Sequence, residues 1–284
     1  MDEDGLLWVG VHFGSRGFGH GSATWALKQV GATDTGMMAP PSLLPLGTPT
    51  TDTYRHLMDL AGQYAYAGRE WVVRKVLRDI LRTGSTFEVH NHHNFAWQEE
   101  HDGRTWWVHR KGATPAFPGQ HGFIGGSMGG IAVIVRGVDS DRSREALYST
   151  VHGAGRVLSR SQAASRVRRR PVWQCGNRDC GATEPHYNVK AGQPNPTCAR
   201  CGSKTHRWHV DETSGGVIDW PAVQADLRSR GIELRGGGAD EAPGCYKSLP
   251  DVLAYHAGTI EIVHTLYPVG VAMAGRETID PYKD

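Results

Sequence analysis

The sequence contains no long apolar segment, because no stretch approaches the ~20 consecutive apolar residues that a membrane-spanning helix requires. The chain starts MDEDG, which is acidic and lacks the basic start and apolar stretch of a secretory signal. The formal net charge is only +2, so the composition as a whole does not indicate a polycation that binds nucleic acid. We therefore predict a cytoplasmic protein with no membrane partner, in which any contact with RNA is local.

Cysteine is scarce, with five residues in 284, yet four of the five lie within 27 positions. CGNRDC and CARC give a C-x4-C pair and a C-x2-C pair, separated by 17 residues. Thiolate pairs on two turns are typical of tetrahedral Zn²⁺, whereas a disulfide framework needs an oxidising compartment. We predict a structural zinc site in a zinc-ribbon-like insert over residues 171–213, with the ligands Cys175, Cys180, Cys198 and Cys201.

Four arginines stand directly before this insert, in a segment whose pattern predicts a helix. Such a basic run beside a zinc ribbon could hold phosphates, or it could be the solvated end of the helix. The residues are Arg166, Arg168, Arg169 and Arg170.

Glycine, by contrast, is abundant, with 37 residues, and two glycine-rich segments also carry histidine. In VHGAGR, bare amides at a predicted helix start could receive a phosphate, which His152 beside them could attack or protonate. In VHFGSRGFGH, His12 ends a predicted strand, where a metal ligand and a structural histidine are both reasonable. GGSMGG is a further candidate phosphate loop.

A third histidine-rich segment is HNHHN, residues 90–94. The period-two alternation of a strand places His90 and His92 on one face, and Asn91 and His93 on the other. One of these faces could meet a metal.

Predicted strands and helices are mixed without regular strand–helix alternation, which favours the α+β class. Apolar periodicity predicts a buried strand over residues 6–13 and a helical stretch over residues 52–81, which Gly68 breaks in two. The dipeptide Asp102-Gly103 predicts the turn of a β-hairpin.

Eight segments, taken in order, resemble the RtcB family of RNA ligases. The pair HRKGATPAFPG and HGAGRVLSR is highly specific to that family. The resemblance implies an RtcB-like core in two parts, residues 1–170 and 214–284, on either side of the insert. The segments are HFGSRGFGH, AYAGREWV, HHNFAWQEE, VHRKGATPAFPG, GGSMGG, HGAGRVLSR, DEAPGCYKSLPDVL and LYPVGVAMAG.

The resemblance also implies a reaction. Members of the family join an RNA 3′-phosphate, or a 2′,3′-cyclic phosphate after opening it, to a 5′-hydroxyl, and they use GTP and Mn²⁺. A histidine attacks GTP and becomes guanylylated, which is covalent catalysis. GMP then passes to the RNA 3′-phosphate, and the 5′-hydroxyl displaces it.

Carried onto this sequence, the resemblance makes His152 the guanylylated histidine, and His12 and His93 ligands of Mn²⁺. Tyr246 matches a tyrosine that stacks on guanine. The other implied nucleotide contacts are Asn94, Gly125, Gly126, Ser127, Met128, Gly153, Ala154 and Gly155.

Two elements of the family are missing from this sequence: an Asp-x-Gly-Cys element and a Gly-Asn-His element that supply further metal ligands. Three interpretations follow. The chain is part of a ligase that another polypeptide completes, or a ligase-like protein that binds RNA ends or nucleotide without joining them. In the third interpretation it is a zinc-ribbon module that binds nucleic acid on a ligase scaffold.

Overall fold

The computed structural model describes residues 1–32, 41–164, 166–190 and 192–274. Helices and strands are mixed within it, which confirms the predicted α+β class. The helices are α1 Arg16–Gln29, α2 Pro49–Lys75, α3 Asp141–Glu145, α4 Arg160–Ala163, α5 Trp220–Ser229 and α6 Leu249–Ala254. The strands are β1 Asn94–His101, β2 Arg104–Lys111, β3 Ala113–Pro115, β4 His121–Ile124, β5 Ala132–Gly137, β6 Ser149–Val151, β7 Arg166–Cys175, β8 Thr183–Pro185, β9 Thr205–Ser214, β10 Glu233–Arg235, β11 Ile260–Leu266 and β12 Gly270–Ala272.

The core lies on an antiparallel sheet with the strand order β11-β5-β4. Ile124, Val133 and Val135 are almost fully buried on this sheet, where they cluster with Leu249 and Leu253 of helix α6. Alternating apolar residues on the strands therefore pack against a short helix, as expected for a sheet with one covered face.

Helix α2 runs through Gly68, so the predicted break there is wrong. The helix begins at Thr48, whose side chain accepts a hydrogen bond from Thr51 N. The glycine serves packing instead, because a Cβ at Gly68 would lie 3.1 Å from Cε2 of Phe13. A π-helical turn, Val76–Leu81, extends the helix.

The predicted strand over residues 6–13 is also wrong, since this segment has no strand pairing in the structure. Leu6 and Leu7 are 58% and 54% exposed. The carboxylate of Asp2 accepts hydrogen bonds from Leu6 N at 2.8 Å and from Trp8 Nε1 at 2.8 Å. Local capping by a carboxylate thus replaces the strand pairing that the apolar run predicts.

The predicted hairpin is confirmed, because β1 and β2 pair in register from Asn94–Lys111 to His101–Arg104. Asp102 and Gly103 at the turn have φ of 52° and 69°. Two residues with positive φ match the twist of a two-residue hairpin turn.

The arginine run belongs to strand β7, so the predicted helix ends at Ala163. The register of β7 with β9 sets Arg168 opposite Glu212 and Arg169 opposite Asp211. The side chains of residues 166–169 and 211–214 lie outside the described part of the structure, and Arg170 is exposed.

Strands β8, β7 and β9 form a separate three-stranded sheet that carries the four clustered cysteines, called here the cysteine module (residues 166–214). Its two ends meet, because Val217 N donates to Gln162 O at 3.0 Å just outside the module. Within the part of the chain that the structure describes, no helix is long and apolar enough to cross a bilayer.

Gly137 ends β5 where two carbonyls leave no room for a side chain. A Cβ there would lie 2.2 Å from Ala116 O and 2.3 Å from Phe117 O. We expect Gly137→Ala to lower the free energy of unfolding by about 1–3 kcal/mol, the usual cost of overpacking. Chemical denaturation measures this, with Gly84→Ala as control because nothing lies within 4 Å of a Cβ at Gly84. Equal stability of the two variants would contradict the prediction.

Candidate functional site

Three histidines from distant segments meet at one point. The rings of His12 and His93 are 4.8 Å apart between centroids and nearly perpendicular, at 83°. The rings of His93 and His152 stack at 4.5 Å and 14°. The structure therefore brings together the histidines that the sequence singles out in three separate motifs.

Strand pairing explains why His93 and His152 meet. His93 directly precedes β1, and its carbonyl accepts a hydrogen bond from Gly112 N at 3.1 Å, just after β2. The next strand, β3, pairs with β6, and His152 directly follows β6. A Cβ built on Gly112 would lie 3.8 Å from Nδ1 of His152. Gly112 thus lies in van der Waals distance of the His152 ring, and its φ of 73° favours glycine.

The two predicted phosphate loops are joined beside His152. Gly125 N donates to His152 O at 3.3 Å, and Ala154 N donates to Gly125 O at 3.2 Å. Gly125 and Gly153 form a parallel bridge, and a Cβ at Gly153 would lie 3.1 Å from Gly125 O. Glycine permits this close backbone approach. Gly155 has φ of 75°, which also favours glycine.

The GGSMGG loop turns on itself, since Gly130 N donates to Ser127 O at 3.0 Å. A Cβ at Gly126 would lie only 2.0 Å from Ile131 O, so this position requires glycine. Met128 is 6% exposed and packs in a core cluster with Leu227. Its side chain is therefore structural, and only its backbone is available to a nucleotide.

Arg69 of helix α2 is a residue of the site that sequence reasoning missed. Its Nη1 donates to Phe13 O at 2.8 Å, and its Nε donates to His90 Nε2 at 2.8 Å. One guanidinium therefore links the segment that carries His12 to the segment that carries His93. The AYAGREWV segment contains this arginine, but helical periodicity alone does not show that it points inward.

The HNHHN segment shows the predicted alternation, although its histidines lie just before β1. His90 and His92 contact the ring of Tyr66, at 3.7 Å and 4.2 Å between centroids. Asn91 faces the other way, and its Nδ2 donates to Thr114 Oγ1 at 2.9 Å. The backbone fixed on both sides in this way presents His93 to His152.

Burial lowers the pKa of His93 from 6.5 to about 4, and the positive charges of His12 and His152 when protonated add to the effect. Burial, followed by Arg69, also lowers the pKa of His92 to about 4. A neutral imidazole keeps a lone pair for a metal ion at neutral pH. Nδ1 of His152 is buried with no hydrogen-bond partner among the described residues.

Tyr246 lies beside charged residues. The Arg156 guanidinium lies over its ring at 4.9 Å, and Arg156 Nη1 donates to Tyr246 Oη at 2.9 Å. The hydroxyl donates to Glu241, which also pairs with Arg160. Burial and the Glu241 carboxylate raise the pKa of Tyr246 to about 12. Asn94 is exposed at the start of β1.

The four clustered cysteines converge in the cysteine module. Their Sγ atoms all lie within 4.8 Å of one another, with Cys175 and Cys201 at 3.4 Å and Cys180 and Cys198 at 3.9 Å. Tetrahedral zinc with ~2.3 Å bonds to sulfur requires sulfur atoms ~3.8 Å apart. The set therefore fits one metal ion. Cys245 lies elsewhere, buried, and its thiol donates to Ala239 O at 3.3 Å.

The candidate site thus consists of three histidines beside two joined glycine loops, on an α+β framework. The family model described as "tRNA-splicing ligase RtcB" matches residues 2–183. This is more than half of the chain, which therefore belongs to the RtcB family.

Curated relatives agree with the family assignment. The RNA-splicing ligase RtcB of Escherichia coli K12 is 34% identical over 178 residues, which is 57% of this chain and 43% of the relative. The Mycobacterium tuberculosis RNA-splicing ligase RtcB is 30% identical over 298 aligned residues, 94% of this chain and 56% of the relative. The tRNA-splicing ligase RtcB of Thermococcus kodakarensis is 29% identical, over 95% of this chain and 52% of the relative. The chain spans about half the length of these relatives.

The sulfur geometry predicts one tightly bound zinc ion per chain. We expect Cys198→Ser to lose zinc and to destabilise the cysteine module, because three thiolates no longer close the tetrahedron. Metal analysis of the purified protein measures the stoichiometry. Cys245→Ser is the matched control and should keep its zinc, since Cys245 lies outside the cluster. Equal zinc content in both variants would refute the assignment.

The lowered pKa of His93 predicts a pH-dependent stability. The unfolded chain binds a proton at this residue below pH 6.5, whereas the folded chain resists protonation down to about pH 4. The contribution is therefore present above pH 6.5 and is lost as the pH falls towards 4.

Replacing this histidine should flatten the pH dependence. We expect His93→Gln to reduce the slope of unfolding free energy against pH, by less than ~1.4 kcal/mol per pH unit because the ring is partly solvated. Denaturant unfolding at several pH values measures the slope. His209→Gln, at an exposed position, should leave it unchanged. An unchanged slope in His93→Gln would show that this histidine is not linked to folding.

Proposed function

We propose that this chain acts in an RNA ligase that depends on GTP and Mn²⁺ and joins an RNA 3′-phosphate, or a 2′,3′-cyclic phosphate after hydrolysis, to a 5′-hydroxyl. One observation carries the proposal: His152 stacks on His93 beside the joined glycine loops. A histidine at that place has both a neighbouring metal-ligand candidate and loop amides that suit phosphate oxygens, although helix α4 begins only at Arg160 and the predicted helix start at Gly153 is wrong.

His152 is the proposed nucleophile. A ring nitrogen attacks the α-phosphorus of GTP, the bond to the β-phosphate oxygen breaks, and pyrophosphate leaves. An oxygen of the RNA 3′-phosphate then takes the GMP group from His152, and the 5′-hydroxyl attacks the activated phosphate and displaces GMP. Three easier displacements thus replace a difficult one.

The residues around His152 receive the matching roles. Amides of the two glycine loops, at Gly126, Ser127, Gly153 and Gly155, hold nucleotide phosphates, and Met128 contributes only its backbone. The amides of Gly125 and Ala154 already donate within the loops, so these two residues line the nucleotide site without donating to a phosphate. Asn94 contacts the nucleotide. Tyr246 stacks on guanine with the ring face opposite Arg156, whose guanidinium covers the other face.

His12 and His93 would hold Mn²⁺, and the chemistry of the two imidazoles fits a divalent transition metal. When bound, the ion positions phosphates and offsets their charge. Among the described residues, one group of three or more metal-ligating side chains converges, and it consists of Cys175, Cys180, Cys198 and Cys201. The described histidines do not form such a group. The histidine site therefore needs further ligands. We propose that another polypeptide supplies an aspartate and a cysteine.

The division of the chain remains part of the proposal: a ligase core at residues 1–170 and 214–284, and a zinc-ribbon-like insert at residues 171–213. In this arrangement Zn²⁺ has a structural role. A cytoplasmic location follows from the reduced state that four zinc-binding thiols require.

A guanylylation assay tests the proposal. The chain is mixed with Mn²⁺ and GTP labelled on the α-phosphate, both alone and with the part of a full-length relative that precedes the aligned region. We expect covalent label on the chain in at least the second mixture. His152→Ala should abolish the label, whereas His209→Ala, an exposed histidine of the cysteine module, should retain it.

Label that persists in His152→Ala, or no label in either mixture, would refute the assignment of His152. The second result would favour another candidate, a ligase-like protein that binds RNA ends or nucleotide without joining them. The small number of metal ligands around His93 is the observation that favours this alternative.

A further inference from the structure

The cysteine module has a surface that neither the zinc site nor the proposed ligase site uses. Strand β9 lies at one edge of the sheet, in the order β8-β7-β9. Four consecutive side chains near its start are exposed, and Trp208 is 52% exposed. A large aromatic side chain left open on an edge strand indicates a contact surface. The four residues are His206, Arg207, Trp208 and His209.

The edge strand alternates its aromatic and basic groups between two faces. On one face, Trp208 lies opposite Val172, which is 1% exposed, and His206 meets the indole edge at 6.1 Å. On the other face, Arg207 Nε donates to His186 Nε2 at 2.8 Å. The indole thus sits above a buried residue and keeps one side open.

The opposite face carries a second aromatic group. His186 stacks on Trp173 at 5.0 Å and 24°, and Tyr187 lies 6.3 Å from the same indole while remaining 55% exposed. Arg207 lies beside the stacked rings of His186 and Trp173, on the face opposite Trp208. Exposed aromatic rings such as that of Trp208 match the way in which proteins hold unpaired bases.

The charge of the module shows which kind of nucleic acid fits. Residues 166–214 contain nine Lys and Arg and four Asp and Glu, a difference of +5. Zn²⁺ with four thiolates carries a charge of −2, which leaves about +3. So small a charge cannot hold a duplex through its phosphates alone. Stacking must supply the affinity, and only a single strand offers its base faces.

Of the arginine run, Arg170 lies on the same face as Trp208, because it pairs in register with Val210, two residues further along β9, and it is exposed. The register places Asp211 and Glu212 opposite Arg169 and Arg168 at the far end of the sheet. The exposed aromatic and basic residues of β9, His206 to His209, lie at the end of the strand nearest the cysteines.

We propose that the edge of strand β9 around Trp208 and His206 binds a single-stranded part of the substrate RNA through base stacking. This assignment rests on the proposed function for the identity of the RNA as substrate. In this proposal the cysteine module binds the RNA substrate, and its zinc site fixes the position of strand β9, which carries Trp208.

Fluorescence anisotropy tests the surface with a labelled single-stranded RNA about twelve nucleotides long, which lies within the ~4–16 nucleotides that a small binding fold covers. We expect Trp208→Ala to weaken binding roughly 5- to 100-fold, the effect of losing one stacked base. Trp208→Leu keeps an apolar side chain above Val172 but removes the ring, so it should show the same loss. Trp71→Ala removes a tryptophan that is 63% exposed on helix α2 and should bind normally.

Zinc content and His152 labelling are measured on every variant. Full zinc and full labelling with weakened RNA binding would support the surface. Unchanged affinity in both Trp208 variants, or equally tight binding of an RNA duplex, would overturn it. If the unaltered chain is not labelled with GMP but its RNA binding still depends on Trp208, the proposed ligase function is refuted and the RNA-binding surface is not. The experiment therefore distinguishes failure of the ligase function from failure of the surface.

Discussion

The candidate site depends on one close approach of two backbones, at Gly125 and Gly153. The bridge between them joins the two glycine loops and seats His152 against His93. A side chain at Gly153 would meet the Gly125 carbonyl at 3.1 Å, so the approach needs glycine. The remaining parts follow from it. Strands β3 and β6 deliver His152 to this bridge, and Arg69 links the segments of the other two histidines.

Motif-level inference predicted the parts of the site that are written as short patterns. The histidine and glycine motifs meet in space, the four cysteines converge, and the Asp102-Gly103 turn closes the hairpin. These features are local, since a few adjacent residue types define each of them. The family assignment rests on the same motifs and is shown by the match over residues 2–183.

The features that the sequence did not predict depend on contacts between residues that are distant along the chain. Residues 6–13 have the composition of a strand, but the carboxylate of Asp2 accepts from the Leu6 amide and the Trp8 indole, and the segment pairs with no strand. Gly68 has a low helix propensity, yet helix α2 continues through it. The absence of a side chain at this position leaves room for the ring of Phe13. Glu241 beside Tyr246 is likewise invisible in the sequence, because its importance comes from partners brought together by folding. Partners distant along the chain leave no local pattern.

The meeting of Gln162 and Val217 has a consequence for the history of this protein. The chain leaves the core after helix α4, forms the cysteine module, and returns to almost the same point. Because the two ends of the cysteine module are adjacent, the module does not separate the segments that flank it. Such a unit can be inserted or removed during evolution while the surrounding packing stays intact. Chains that share this core can therefore differ in the presence or sequence of the cysteine module without a change in the packing around it.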